Sequence, residues 1–233
     1  MRLRSRFSAV TLAVITSTTG TLIATATATA HAASMATTAE VTVIHGIPKV
    51  PVTVYANGKV LIKDFKFGSV VGPVSLQPGK YALAVRPYGA SASTHPLLAT
   101  TVRVVAGENA TVVANLTAAG KAKLSVFANP TSSLAMGMAR VIVRHTAQAP
   151  SVDVYAGPTT KSALISNLAN GKSATASVPA GTYTIGVYVH GTTTKPAIGP
   201  AKFTFAAGTT YVIYAIGSAT SMPASITVAV QKY

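Results

Sequence analysis

Val41 to Asn57, VTVIHGIPKVPVTVYAN, returns one hundred residues later as VIVRHTAQAPSVDVYAG from Val141, and this echo constrains the fold more than any other feature. His45 and Tyr55 stand ten apart in the first copy, as His145 and Tyr155 do in the second, and Val52 and Val54 are answered by Val152 and Val154. Downstream, Leu76-Gln77-Pro78-Gly79-Lys80-Tyr81 is answered by Val178-Pro179-Ala180-Gly181-Thr182-Tyr183 at an offset of 102, and Val105-Ala106-Gly107 by Ala206-Ala207-Gly208 at 101. Indels that small fall in loops, so the copies share one topology.

The local chemistry of each copy is that of short strands and tight turns. β-branched residues alternate with polar ones and are broken every eight to twelve positions by Gly, Pro or Asn. Val41 and Val43, then Val52 and Val54, follow the period of two of a strand with one buried face. Asn57-Gly58 tolerates the positive φ of a type I′ hairpin, and Gln77-Pro78-Gly79 is a turn with a preset φ at Pro. Gly107, Gly181 and Gly208 are read as turn residues of the same kind. The expected class is all-β: two tandem antiparallel β-sandwich domains, immunoglobulin- or transthyretin-like with Greek-key connections, after a signal peptide. Residues 41–128 form the first and 139–233 the second, joined by a Pro- and Ser-bearing linker at 129–138.

Ahead of them, Arg2, Arg4 and Arg6 precede a moderately apolar run and Ala30-His31-Ala32, the pattern of a secretory signal at 1–32. A polar leader at 33–40 follows and is expected to be disordered. The apolar run is broken by Thr16 to Gly20, so it is a poor membrane span, and no second apolar segment follows. The protein is therefore expected to be secreted, with no transmembrane segment after cleavage. The chain has no cysteine, so each domain must hold together by core packing alone.

Together, "V-x-V-x-H, a Pro-bearing turn, V-D-V-Y, then P-A-G-x-Y and A-G-x-x-Y-x-V" resembles family 4397 of the domains of unknown function, found in secreted and surface proteins of bacteria and often duplicated. The resemblance covers nearly all of the chain after the leader and implies no activity. P-A-G-x-Y also occurs at turns of extracellular modules similar to transthyretin and collagen-adhesin B repeats. The family pattern has an Asp where Asp153 stands, but the first copy has Thr53. That departure argues against a mechanism needing His and Asp in both domains.

The formal charge of +15 becomes +12 once Arg2, Arg4 and Arg6 leave with the signal. The bases are dispersed over both halves, which reads first as an ordinary solvated surface; the functional reading is weak attraction to anionic cell-envelope polymers or to another extracellular protein. No basic-aromatic patch or nucleic-acid motif is visible, so no specific nucleic acid is expected. Catalysis needs a nucleophile with a positioned base or paired carboxylates, and beyond the signal there are four acids, Glu40, Asp64, Glu108 and Asp153, no two close in sequence. The chain is read as non-catalytic and without cofactor or metal.

The residues singled out are few. His45 and His145 are expected to end their first strands and hydrogen-bond the following turn, with Tyr55, Tyr155 and Asp153 as structural companions. A metal or catalytic set of His45, His145 and Asp153 is the competing reading. Tyr88 and His190, at the mouths of equivalent loops, are the candidate ligand-binding residues. Lys59, Asn115 and Glu108 could form an intramolecular cross-link in the first copy, but the second copy does not repeat them.

Overall fold

The computed structural model describes residues 37–157 and 162–233. The expected signal at 1–32 lies outside the described residues. The first copy contributes eight strands: β1 (Ala39–His45), β2 (Val52–Ala56), β3 (Lys59–Phe65), β4 (Val70–Leu76), β5 (Gly79–Pro87), β6 (Leu98–Val104), β7 (Asn109–Leu116) and β8 (Ala122–Ala128). The second repeats them as β9 (Met138–His145), β10 (Val152–Ala156), β11 (Ile165–Leu168), β12 (Ser173–Pro179), β13 (Gly181–Val189), β14 (Pro196–Phe205), β15 (Thr210–Ile216) and β16 (Thr227–Lys232). Each overlaps a stretch that the alternation and turn residues mark as a strand, although β14 starts at Pro196, ahead of the strand expected from Ala201, because its first residues pair with the end of β13. β1 starts at Ala39, two residues ahead of the expected first strand, because Glu40 N–H bonds Glu108 O and its neighbours pair with β4.

Each copy folds into two four-stranded sheets, β4-β1-β7-β8 over β3-β2-β5-β6, and β12-β9-β15-β16 over β11-β10-β13-β14. The all-β sandwich is as expected; its strands are not all antiparallel. β1 runs parallel to β7, and β9 parallel to β15. A two-residue hairpin forces its strands to be antiparallel, whereas β1 and β7 are joined through five intervening strands that leave direction free. The order also departs from the immunoglobulin half of the expectation. In that fold the first strand shares its sheet with the second, fourth and fifth, but here β1 lies between β4 and β7.

Side chains inside each sandwich come from alternating positions. Val41, Val43, Val52, Val54 and Phe65 fill the first, and Val141, Val143, Val152, Val154 and Phe205 the second. The hairpin at Asn57-Gly58 has both residues at positive φ, 51° and 77°, as a type I′ turn requires.

Four strands break the rule of one buried face. β1, β7, β9 and β15 are buried almost throughout. Their second faces, with those of β8 and β16, meet between the two sandwiches, where Ile44, Val113, Ile142, Val212, Tyr214 and Ile216 form one apolar cluster flanked by Phe67 and Phe127. Each such aliphatic side chain contributes about 1.5–3 kcal/mol relative to exposure. The described residues, 37–157 and 162–233, are accordingly one compact unit.

A buried arginine sits at the centre of this contact. Arg144 is 2% exposed and, among the described residues, has no carboxylate beside it. Its Nη1 donates to Asn129 Oδ1 at 2.8 Å and to the Tyr214 hydroxyl, and its Nη2 to Ala128 O at 2.8 Å. The guanidinium lies 4.6 Å from the Phe127 ring centroid and 5.3 Å from that of Tyr214. Carbonyls and ring faces thus take the place of a counter-ion. The net continues from Asn129 to Thr111, from Thr111 to Gln231 and from Gln231 to Thr42, and these three links join the two sandwiches or tie down the connection between them. Burial pushes the Tyr214 hydroxyl up, against the pull of Arg144, so the phenol keeps its proton.

Arg144→Ala is expected to lower the unfolding free energy by about 3 kcal/mol, because it strands Asn129 Oδ1 and Ala128 O in the interface. Arg140→Ala, whose guanidinium bonds Ser132 and Thr210 near the surface, should cost less than about 1 kcal/mol. Urea denaturation of both variants measures the difference, and equal losses would remove the special role of Arg144.

Candidate functional site

The repeated histidines end β1 and β9 with their rings turned into the protein. His45 Nε2 donates to Val50 O and His145 Nε2 to Pro150 O, both at 2.8 Å, across the bend that leads to β2 and β10. His45 Nδ1 accepts from Ile47 N–H at 3.3 Å, and the ring packs 5.5 Å from Phe65. Burial is the main influence on both rings and lowers their pKa; the bonds to Val50 and Pro150 oppose it and do not overcome it. Both rings are therefore neutral near pH 7 and serve as donors to the turn.

Asp153 does not join them. It projects from β10 on the outer side of its sheet, where Oδ1 accepts from Asn167 N–H at 2.7 Å, from His190 Nδ1 at 2.9 Å and from Ser166 Oγ at 3.1 Å, and Oδ2 from Gly191 N–H at 3.3 Å. The local fold prepares this cradle. The β10–β11 register shifts between Val152 and Val154, and Asn167 at φ 51° turns its N–H toward the carboxylate. Desolvation, the largest single influence, pushes the carboxyl up, but the four hydrogen bonds together bring it from 3.8 down to about 2. The structure thus joins two residues that the sequence reading treated separately, His190 as a loop ligand-binder and Asp153 as a companion of the repeated histidines. The signal was present in the repeat: the first copy has Thr53 and Tyr88 at the matching places, so the two positions change together.

Tyr88 and His190 hold equivalent posts. Tyr88 N–H bonds Pro51 O and His190 N–H bonds Ser151 O. Both side chains are about half exposed, Tyr88 48% and His190 45%. Tyr55 and Tyr155 lie on the outer faces of β2 and β10, nearly buried under a neighbour from the next strand. Arg86 stacks on Tyr55 with its Cζ 4.8 Å from the ring centroid, and Tyr188 meets Tyr155 edge to face at 5.5 Å. The sequence reading missed Arg86 because it closes a strand as an ordinary outward cation. Gly107 and Gly208 lie in turns at φ 75° and 73°, and Gly79 and Gly181 open β5 and β13.

This arrangement offers one half-exposed imidazole oriented through Nδ1 by a buried carboxylate. Such a ring could act as a base or donate to a ligand. Among the described residues no three His, Cys, Asp or Glu side chains converge as a metal site would require. Lys59 and Asn115 stand on opposite sheets, Lys59 exposed in a hairpin and Asn115 fully buried. Glu108 accepts from Val105 N–H.

The pKa shifts give stability two separate acid windows. For His45 and His145 the folded value lies below 6.5, so the unfolded chain takes the proton first; their contribution is complete above that pH and is lost as pH falls. Asp153 is also depressed, so its contribution is complete above 3.8 and is lost as pH falls through about 2. Denaturation midpoints measured across the acid range should fall in both windows, and Asp153→Asn should flatten the lower one and leave the upper one unchanged.

No curated protein matches this chain. Among solved structures it is similar to "The Bacillus anthracis TIE protein", at 10% identity and a TM-score of 0.23, with 84% of this chain and 43% of that chain covered. It therefore spans less than half the length of that protein. The pattern of the family described as "Domain of unknown function (DUF4397)" matches residues 39–155 and, again, 147–232. No helix among the described residues is long and apolar enough to cross a membrane. With its two matches extending from the first strand of the first sandwich to the last strand of the second, the chain belongs to the DUF4397 family.

Proposed function

We propose that this chain is a secreted, non-catalytic interaction module that holds anionic polymers of the cell envelope through its basic surface. The observation that carries this reading is the disposition of charge. Among the described residues a single lysine meets a carboxylate, Lys66 with Asp64 at 3.4 Å. The other acids are occupied internally, Glu40 by Ser75, Glu108 by a backbone N–H and Asp153 by its cradle. Most lysines are exposed and have no anionic partner within the fold. They repel one another and attract an external polyanion. The arginines and apolar run ahead of Ala32 support export. Another extracellular protein with an acidic face is the alternative partner of the same chemistry.

A second reading, a small-ligand or carbohydrate site on the loops near Tyr88 and His190, is favoured by the bond that holds the His190 ring to Asp153. The two readings differ in their response to salt. Protein bound to washed envelopes should be released as salt rises toward about 1 M, where screening shortens the Debye length to about 3 Å. Retention at that salt, abolished by Tyr88→Ala or His190→Ala, would overturn the charge reading in favour of the loops.

A further inference from the structure

The duplication supplies an internal control for one surface feature, the outer face of sheet β3-β2-β5-β6. Lys80, Ala82, Ala84 and Arg86 alternate outward along β5, and Ala99, Thr101 and Arg103 along β6, with Lys80 opposite Arg103 and Ala84 opposite Ala99. The three alanines leave a shallow floor, and the cleft above it, of about 380 Å³, is walled by Tyr55 and Arg86. That volume is within the range of small-ligand sites. Arg86 is held in place at this wall. Its Nε donates to Thr94 O at 2.7 Å and its plane stacks on Tyr55, while its two terminal nitrogens have no hydrogen-bond partner among the described residues.

The second sandwich has closed the equivalent position. Tyr188 stands where Arg86 does and Gly186 where Ala84 does, as the pairing of β10 with β13 and of β2 with β5 establishes. A Cβ on Gly186 would come within 2.8 Å of Tyr188 Cε2, so the tyrosine lies directly over that glycine. The first copy keeps an open floor and a pre-oriented guanidinium; the second has filled the floor with an aromatic ring.

We propose that this cleft is the seat of an acidic polysaccharide whose sugar rings bear carboxylates, bound at one site per chain; the proposal deepens the polyanion reading and rests on it. The Arg86 fork takes one carboxylate through both free nitrogens, a geometry that suits a planar carboxylate. The alanine methyls accept the apolar face of the ring. Lys80 and Arg103, six residues along β5 and so about 20 Å away, take a later carboxylate of the same polymer. A single small anion cannot bridge that distance, and an extended oligomer can.

Calorimetric titration of the protein with tetragalacturonate tests this. The expected result is saturable binding at one site, weakened at least about tenfold by Arg86→Met and by Ala99→Leu, which fills the exposed floor, and less than about twofold by Lys123→Gln, which removes one charge on the other sheet. Thermal melts of each variant verify folding; Ala99→Leu, at an exposed edge-strand position, serves where Arg86→Met is destabilised. Absence of saturable binding, or equal effects from Arg86→Met, Ala99→Leu and Lys123→Gln, overturns the cleft. Equal binding of a neutral tetrasaccharide, or of polyphosphate of matched charge, overturns the carboxylated-sugar assignment. If the variants that abolish oligomer binding leave salt-sensitive attachment to envelopes unchanged, the cleft fails as the attachment site and the charge reading survives. Wild-type protein that binds no envelopes at all sinks both.

Discussion

The burial of one sheet face of each sandwich against the other, around Arg144, is the constraint on which the rest of the structure depends. A guanidinium cannot shed its charge, and removing it from water without a partner is costly. Here the cost is offset by Asn129, Ala128 O, the Tyr214 hydroxyl and two ring faces, drawn from both sandwiches and the connection between them. The partners fit only when the sandwiches are in register. Polar specificity and apolar burial therefore act at the same surface, and a connection that would otherwise permit many orientations is held in one.

The two copies show how duplication allowed specialisation without loss of the fold. The interior sets, Val41, Val43, Val52 and Val54 against Val141, Val143, Val152 and Val154, are the same because each sandwich needs the same packing. Divergence is on outward positions. Ile44 is answered by Arg144 and Phe127 by Gln231, so the two inner faces are complementary and not identical. On the far faces, Thr53 and Tyr88 are answered by Asp153 and His190, and Arg86 by Tyr188. The second copy has spent its outer face on internal bonds. The first has a half-buried guanidinium, stacked on Tyr55, beside an open floor.

Charge gives these features a common direction. The acids are few and each is engaged locally, so the exterior presents cations whose neutralisation must come from outside the chain. A dispersed positive surface draws in polyanions without discrimination, and a pre-oriented arginine beside a fitted floor can discriminate among them. Long-range attraction and local recognition are then separate contributions from separate residues.

By itself the sequence determined the class, the duplication, nearly every strand and the place of both repeated histidines, because these follow from local chemistry: period-two alternation, turn residues with positive φ, and a His one turn ahead of a carbonyl. Ile44, Val113, Ile142 and Val212 stand at outward positions of those strands, where period two reads a single buried face and does not say that the other is covered. Tertiary structure alone decided that the cover is the other sandwich, that β1 and β7 run parallel, that Arg144 is buried without a carboxylate, and that Asp153 bonds His190, 37 residues away, and not His145. The physical reason is common to all four. Each depends on which segments meet after the chain has closed long loops, and the energy that selects those meetings, burial and hydrogen bonding between distant residues, has no signature within a window of neighbouring residues.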